Sequence, residues 1–181
     1  MACGNEPLDP AFYAARAALM NNQTTQVELD LYKSISLDKN QWRYPKLLAE
    51  HFIRKKNPAK ALAIIKPFYN QHPENYIIGM LVAKAYLLNG MITNADTLLT
   101  KLQILPFEGA VIGRQLYHEA KLKQAVTAIQ NKQFEKALSF IAAAKLWPSN
   151  LGVGKPYDAE IDERLEPVSY THLTLPTNRE V

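Results

Sequence analysis

The side chains able to do chemistry are few, and their spacing is poor for it. His51 follows Glu50, and His118 precedes Glu119; such pairs suit acid–base work or metal binding. A helical zinc site needs a second histidine four residues after the first, and four residues after His118 stands Leu122. His72 sits beside Pro73, at a junction between helical stretches, and His172 lies near the C-terminus. Cys3 is the single cysteine, which excludes an intrachain disulfide and most zinc sites. A reactive thiol also needs a base and a lowered pKa, and no signature places a histidine for that role. Gly152-Val-Gly154-Lys155 has the flavour of a phosphate loop, but Pro156 follows the lysine and no strand precedes. It reads as a turn that aims the following chain back onto the body, with Trp147 or Tyr157 packing there. No catalytic, cofactor-binding or metal-binding residue is expected, and no enzyme.

Composition agrees with a structural role. The 181 residues are 48% hydrophobic and 21% charged, enough for one domain with a sizeable core. Seven glycines and eleven prolines are too few for a low-complexity chain. No apolar run reaches the roughly 18–20 residues of a membrane span, and no secretory signal pattern opens the chain. A cytoplasmic protein without membrane contact is therefore the expectation. The net charge of +4 argues only weakly for a polyanionic partner.

The elements that would position any site follow a repeat. Asn57-Pro-Ala-Lys-Ala61-Leu resembles Asn131-Lys-Gln-Phe-Glu-Lys-Ala137-Leu, and each leads to a proline about a dozen residues on, Pro73 and Pro148. Trp42 and Tyr76 are separated by 34 residues, as are Ala61 and Ala95. Counting from Trp42 puts Leu48, Ala49 and Phe52 on a first helix and Ala61, Ile65 and Phe68 on a second. Counting from Tyr76 gives Val82, Ala83 and Tyr86, a stop at Gly90, then Ala95 and Leu99. Small residues recur where helices approach closely, with bulky ones filling the gaps beside them. Asp9-Pro10 and Asn57-Pro58 read as helix starts, Asn75 as an N-cap, and Asn89-Gly90 as a helix stop.

This pattern resembles the tetratricopeptide repeat family over roughly residues 8–148. The resemblance implies an all-α, right-handed solenoid of about four helix pairs. A fainter first repeat takes Pro10–Met20, with Ala15 at the small position, and Thr25–Ser36. The interval from Ala95 to Ala137 is 42, so two extra helical turns within Gly109–Asn131 should absorb the excess. In this family the first helices line a concave groove. The usual groove positions fall on Arg43, Lys46, Glu50, Ile53 and Arg54, and then on Ile77, Met80, Lys84, Leu87 and Leu88. Leu122, Val126 and Ile129 are the fourth-repeat candidates. Glu50 stands where the family's two-carboxylate peptide clamp wants asparagine, which argues against a clamp for a C-terminal peptide. Arg43 maps to Ile77 and Lys46 to Met80, so no RNA-reading code recurs, and nucleic acid is not an expected partner.

Three expectations concern the ends of the chain. Residues 149–166 read as a Gly/Pro loop and the start of a further helix. The run Val168-Ser-Tyr-Thr-His-Leu-Thr-Leu-Pro-Thr177 resembles an in-frame translation of a transposase-type sequencing adapter, which makes residues 167–181 a non-native tail and the chain a fragment. Ile104-Leu-Pro-Phe-Glu-Gly109, Trp147–Tyr157, Asp162-Glu-Arg-Leu165 and Pro10–Ala17 resemble the C-terminal repeats of large bacterial proteins carrying the DUF5107 domain. That resemblance implies a parent whose missing, β-rich, mutarotase-like part handles carbohydrate. The expected function is a non-catalytic interaction or scaffold module. Its partner would be a protein, a peptide, or the neighbouring domain of its own parent chain. The alternative is a helical accessory that completes the active site of a carbohydrate-active enzyme.

Overall fold

The computed structural model describes residues 9–20, 24–106 and 111–153. Among them the regular structure is helical, with no strand. Eight α-helices follow in order: α1 (Pro10–Leu19), α2 (Thr24–Leu37), α3 (Arg43–Arg54), α4 (Pro58–Gln71), α5 (Tyr76–Leu88), α6 (Ile92–Lys101), α7 (Val111–Gln130) and α8 (Phe134–Ala144). Each helix packs on the next, and α3 also touches α5 while α5 touches α7. The odd-numbered helices thus form an inner layer, and the even-numbered ones cover them. Repeated stacking of this kind lets each pair bury its apolar face on its neighbours.

The helix starts are fixed by the residues that mark them in the sequence. Asp9 accepts from the Ala11 amide at 2.9 Å, Asn57 from Lys60 at 3.2 Å and Asn75 from Ile78 at 3.1 Å. The turns within the last three pairs are copies of one another. Amide 57 donates to the carbonyl of Phe52 at 2.8 Å, amide 91 to Tyr86 at 2.9 Å and amide 133 to Ala128 at 2.8 Å. These are the long-range bonds of the Schellman stop. The residue before each of them, Lys56, Gly90 and Lys132, has a left-handed φ of 55°, 72° and 58°.

The packing positions recur as the 34-residue interval predicts. Leu48, Ala49, Ala61, Ile65, Ala83, Ala95 and Leu99 are fully buried, and Phe52 and Val82 nearly so. In the first pair the small positions are Ala14 and Ala17, which are buried, while Ala15 is exposed. Residues three apart share a helix face, and Tyr13, Ala14 and Ala17 are the buried residues of α1, on the face that α2 covers. The 42-residue interval is absorbed where expected: α7 has 20 residues, against 12 and 13 in α3 and α5. The added turns are not idle. Gly113, Leu116 and Tyr117 lie buried on them, with Met80 of α5 and Ile104 packed beside Gly113.

After α8 the chain returns to the body. A short 3₁₀ turn, Ser149–Leu151, places Leu151 in the main core at 1% exposure. The Asn150 carboxamide donates to the carbonyls of Leu99 and Leu102 at 2.9 and 2.8 Å, and the Ile104 amide donates to the Asn150 carbonyl at 2.8 Å. Gly152 ends the turn at φ 76°. Residues 149–153 are therefore sewn to the end of α6. Tyr157, the helix expected from Asp158 to Glu166 and the run 167–181 lie outside the described residues.

Candidate functional site

The inner face is built by α3, α5 and α7. On α3, Arg43 and Arg54 are exposed, and Lys46 and Glu50 are half-buried. Lys46 and Glu50 pair at 2.7 Å one turn apart, so the lysine's charge is largely answered within its own helix. Arg43 lies over the Trp42 ring at 4.6 Å and touches the Gln41 carboxamide. On α5, Lys84 is exposed, Ile77 and Ile53 of α3 are half-buried, and Leu88 is 48% exposed.

Two residues expected in the groove are core residues instead. Met80 and Leu87 are only 5% and 4% exposed. For Met80 the cover comes from α7, whose extra turns bring Gly113 against it. Leu87 forms the edge of a cleft of about 460 Å³ between the end of α5 and the middle of α7. Leu122 and Val126 of α7 line the same cleft, and Val126 and Ile129 are exposed at 53% and 40%. The inner surface thus combines cationic positions on α3 and α5 with an apolar cleft against α7. Glu119, on the rim of that cleft, pairs with Lys123 at 3.4 Å.

The three histidines among the described residues pack within the fold. His51 is 6% exposed, stacks edge-on against Phe52, and has its Nε2 3.4 Å from Glu28 of α2. The Lys55 ammonium bonds Glu28 at 2.7 Å and holds its carboxyl below the usual range. His118 is 7% exposed within α7, and His72 packs on Phe68 at 4.7 Å. Among the described residues no group of three His, Cys, Asp or Glu side chains could hold a metal.

Sequence reasoning missed the polar ties between helices. Arg16 of α1 grips Asp30 of α2 through two bonds, and Gln26 adds a third. Lys121 and Gln124 of α7 both reach Asp96 of α6, at 2.8 and 3.1 Å. Arg114 donates to the Ala144 carbonyl at 2.7 Å and lies over the Trp147 ring at 4.8 Å. A cation there answers the negative end of α8. The Gln26–Asp30 bond lies within α2, but the hydrogen bonds between elements join residues 14 to 30 positions apart, and no local spacing rule marks them.

No helix among the described residues is long and apolar enough to cross a membrane. No family model matches the chain, and no curated protein does. Among solved structures the chain is similar to "MamA RS-1 ArsTM double mutant", at 11% identity and a TM-score of 0.52, over 77% of this chain and 75% of that one. MamA is a tetratricopeptide-repeat-containing protein. At that identity the likeness speaks for the fold, and with the all-helical pairs described above it makes the architecture a tetratricopeptide-type solenoid.

Proposed function

We propose that the chain is a non-catalytic interaction module that seats a protein segment on its inner face. The carrying observation is the combination of Arg43, Arg54 and Lys84, all exposed, with the apolar cleft that Leu122 and Val126 of α7 line. Exposed apolar surface beside unanswered charge is a common mark of a covered surface. A tetratricopeptide-type fold supports protein partners as a class. Nucleic acid fits less well, because the cations do not recur at equivalent repeat positions.

The partner we infer is the neighbouring domain of a larger bacterial parent protein. This rests on the resemblance of Ile104–Gly109 and Trp147–Tyr157 to the repeats that follow a carbohydrate-related domain in DUF5107 proteins. Separately, the likeness of Val168–Thr177 to a translated sequencing adapter supports reading residues 167–181 as a non-native tail.

The test is to sequence the reading frame upstream and co-express the part it encodes with this chain. Co-elution of the two, weakened by Arg54→Glu with Lys84→Glu, is the expected result. Separate elution, or co-elution indifferent to both changes, would refute the proposal. Sugar turnover by the upstream part that requires this chain would favour an accessory role in an active site instead.

A further inference from the structure

A second cleft lies on the outer layer, away from the inner face. It has a volume of about 290 Å³ and opens between α4 and α6, with α5 at its floor. Lys66 and Asn70 come from α4; Asn94, Thr97 and Lys101 come from α6. No aspartate or glutamate lines it.

The charge here is unanswered. Lys46, Lys55, Lys121 and Lys123 each stand against a carboxylate. Lys66 and Lys101 have no carboxylate partner among the described residues, and Lys66 only rests over the Tyr86 ring at 5.8 Å. One lysine stands on each wall, so a ligand with two negative groups can engage both. Asn70 on one wall and Asn94 on the other each offer a donor and an acceptor in the carboxamide, the pairing a peptide backbone wants.

We propose that this cleft binds an acidic segment of a partner protein in extended form, with carboxylates on Lys66 and Lys101. The proposal does not depend on the reading of the inner face. Nucleic acid is the poorer occupant: the cleft offers two cations and no arginine fork for phosphate.

The test uses the full chain and a fluorescein-labelled hexaglutamate peptide, followed by anisotropy at low salt. Binding should weaken about tenfold or more in Lys66→Glu with Lys101→Glu, and clearly in Lys66→Gln with Lys101→Gln, which removes charge without repulsion. Circular dichroism confirms that each variant is folded; both lysine pairs lie on the surface. Absence of binding to the parent chain overturns the proposal. So does an equal loss from reversing Lys136 and Lys145, which would mark general attraction to a basic chain. Tighter binding of a single-stranded RNA of equal charge, lost in the same variants, would overturn it in favour of nucleic acid.

Discussion

Lys56 and Gly90 occupy the same left-handed position, 34 residues apart, in two copies of one helix stop. Glycine holds that conformation without strain, whereas a lysine's Cβ crowds the neighbouring carbonyl. Lys132 repeats the arrangement in the last pair at φ 58°. Lys56→Gly and Lys132→Gly should each therefore stabilise the fold, by about 0.5–1 kcal/mol after glycine's greater unfolded-state entropy is subtracted. Urea melts of the single variants check this. A loss of stability in both would mean that the turns are held differently.

The buried alanines carry the nesting of helix on helix. Ala61 and Ala95 are fully buried at equivalent positions. Ala61→Trp should overpack that contact and cost about 1–3 kcal/mol. An unchanged melting temperature would show that the site is not tightly packed.

The Arg16–Asp30 tie makes the first pair sensitive to acid. The Arg16 guanidinium holds the Asp30 carboxyl below the usual aspartate range, against the opposing effect of burial. A carboxyl whose pKa is lower folded than unfolded stabilises the fold above the unfolded value, near 4. That contribution fades as pH falls through the folded value. Asp30→Asn should thus cost about 2 kcal/mol at pH 7, and the gap to the parent should close as pH drops below about 4. A gap independent of pH would contradict the assignment.

The return of the chain after α8 depends on Asn150 and Gly152. A Cβ on Gly152 would lie 2.8 Å from the Ile104 carbonyl oxygen, at a φ that side chains resist. Gly152→Ala should cost about 1–3 kcal/mol, and Asn150→Ala about 1–2 kcal/mol through two lost hydrogen bonds. Both should speed proteolysis between Leu146 and Val153 more than elsewhere. Uniform protease sensitivity would argue that these residues do not anchor the segment.

Legibility in the sequence followed the range of the interactions. Helix starts at Asp9, Asn57 and Asn75 could be read because each cap acts within three residues. The packing residues from Leu48 to Leu99 could be read because the 34-residue interval repeats. Ala15 misled because three alanines within four residues leave the helix phase open, and the buried face uses Ala14 and Ala17. Met80 misled because groove positions assume a first helix of ordinary length, and Leu87 because it turns into the main core at the end of α5. The extra turns of α7 were foreseen as length, but not as cover for α5. The outer cleft left no trace in the sequence, because Lys66 and Lys101 come to line one cleft only once α4 and α6 both pack on α5.

Spin-label distances test the repeating step most directly. Lys60 of α4, Asn94 of α6 and Lys136 of α8 stand at matching places in successive pairs and are exposed. With Cys3 replaced by serine, labels are attached to cysteines at two of these positions at a time. A solenoid predicts similar distances for the 60–94 and 94–136 pairs, and a 60–136 distance well beyond either one. A 60–136 distance as short as a single step would mean a closed bundle, and would contradict the account.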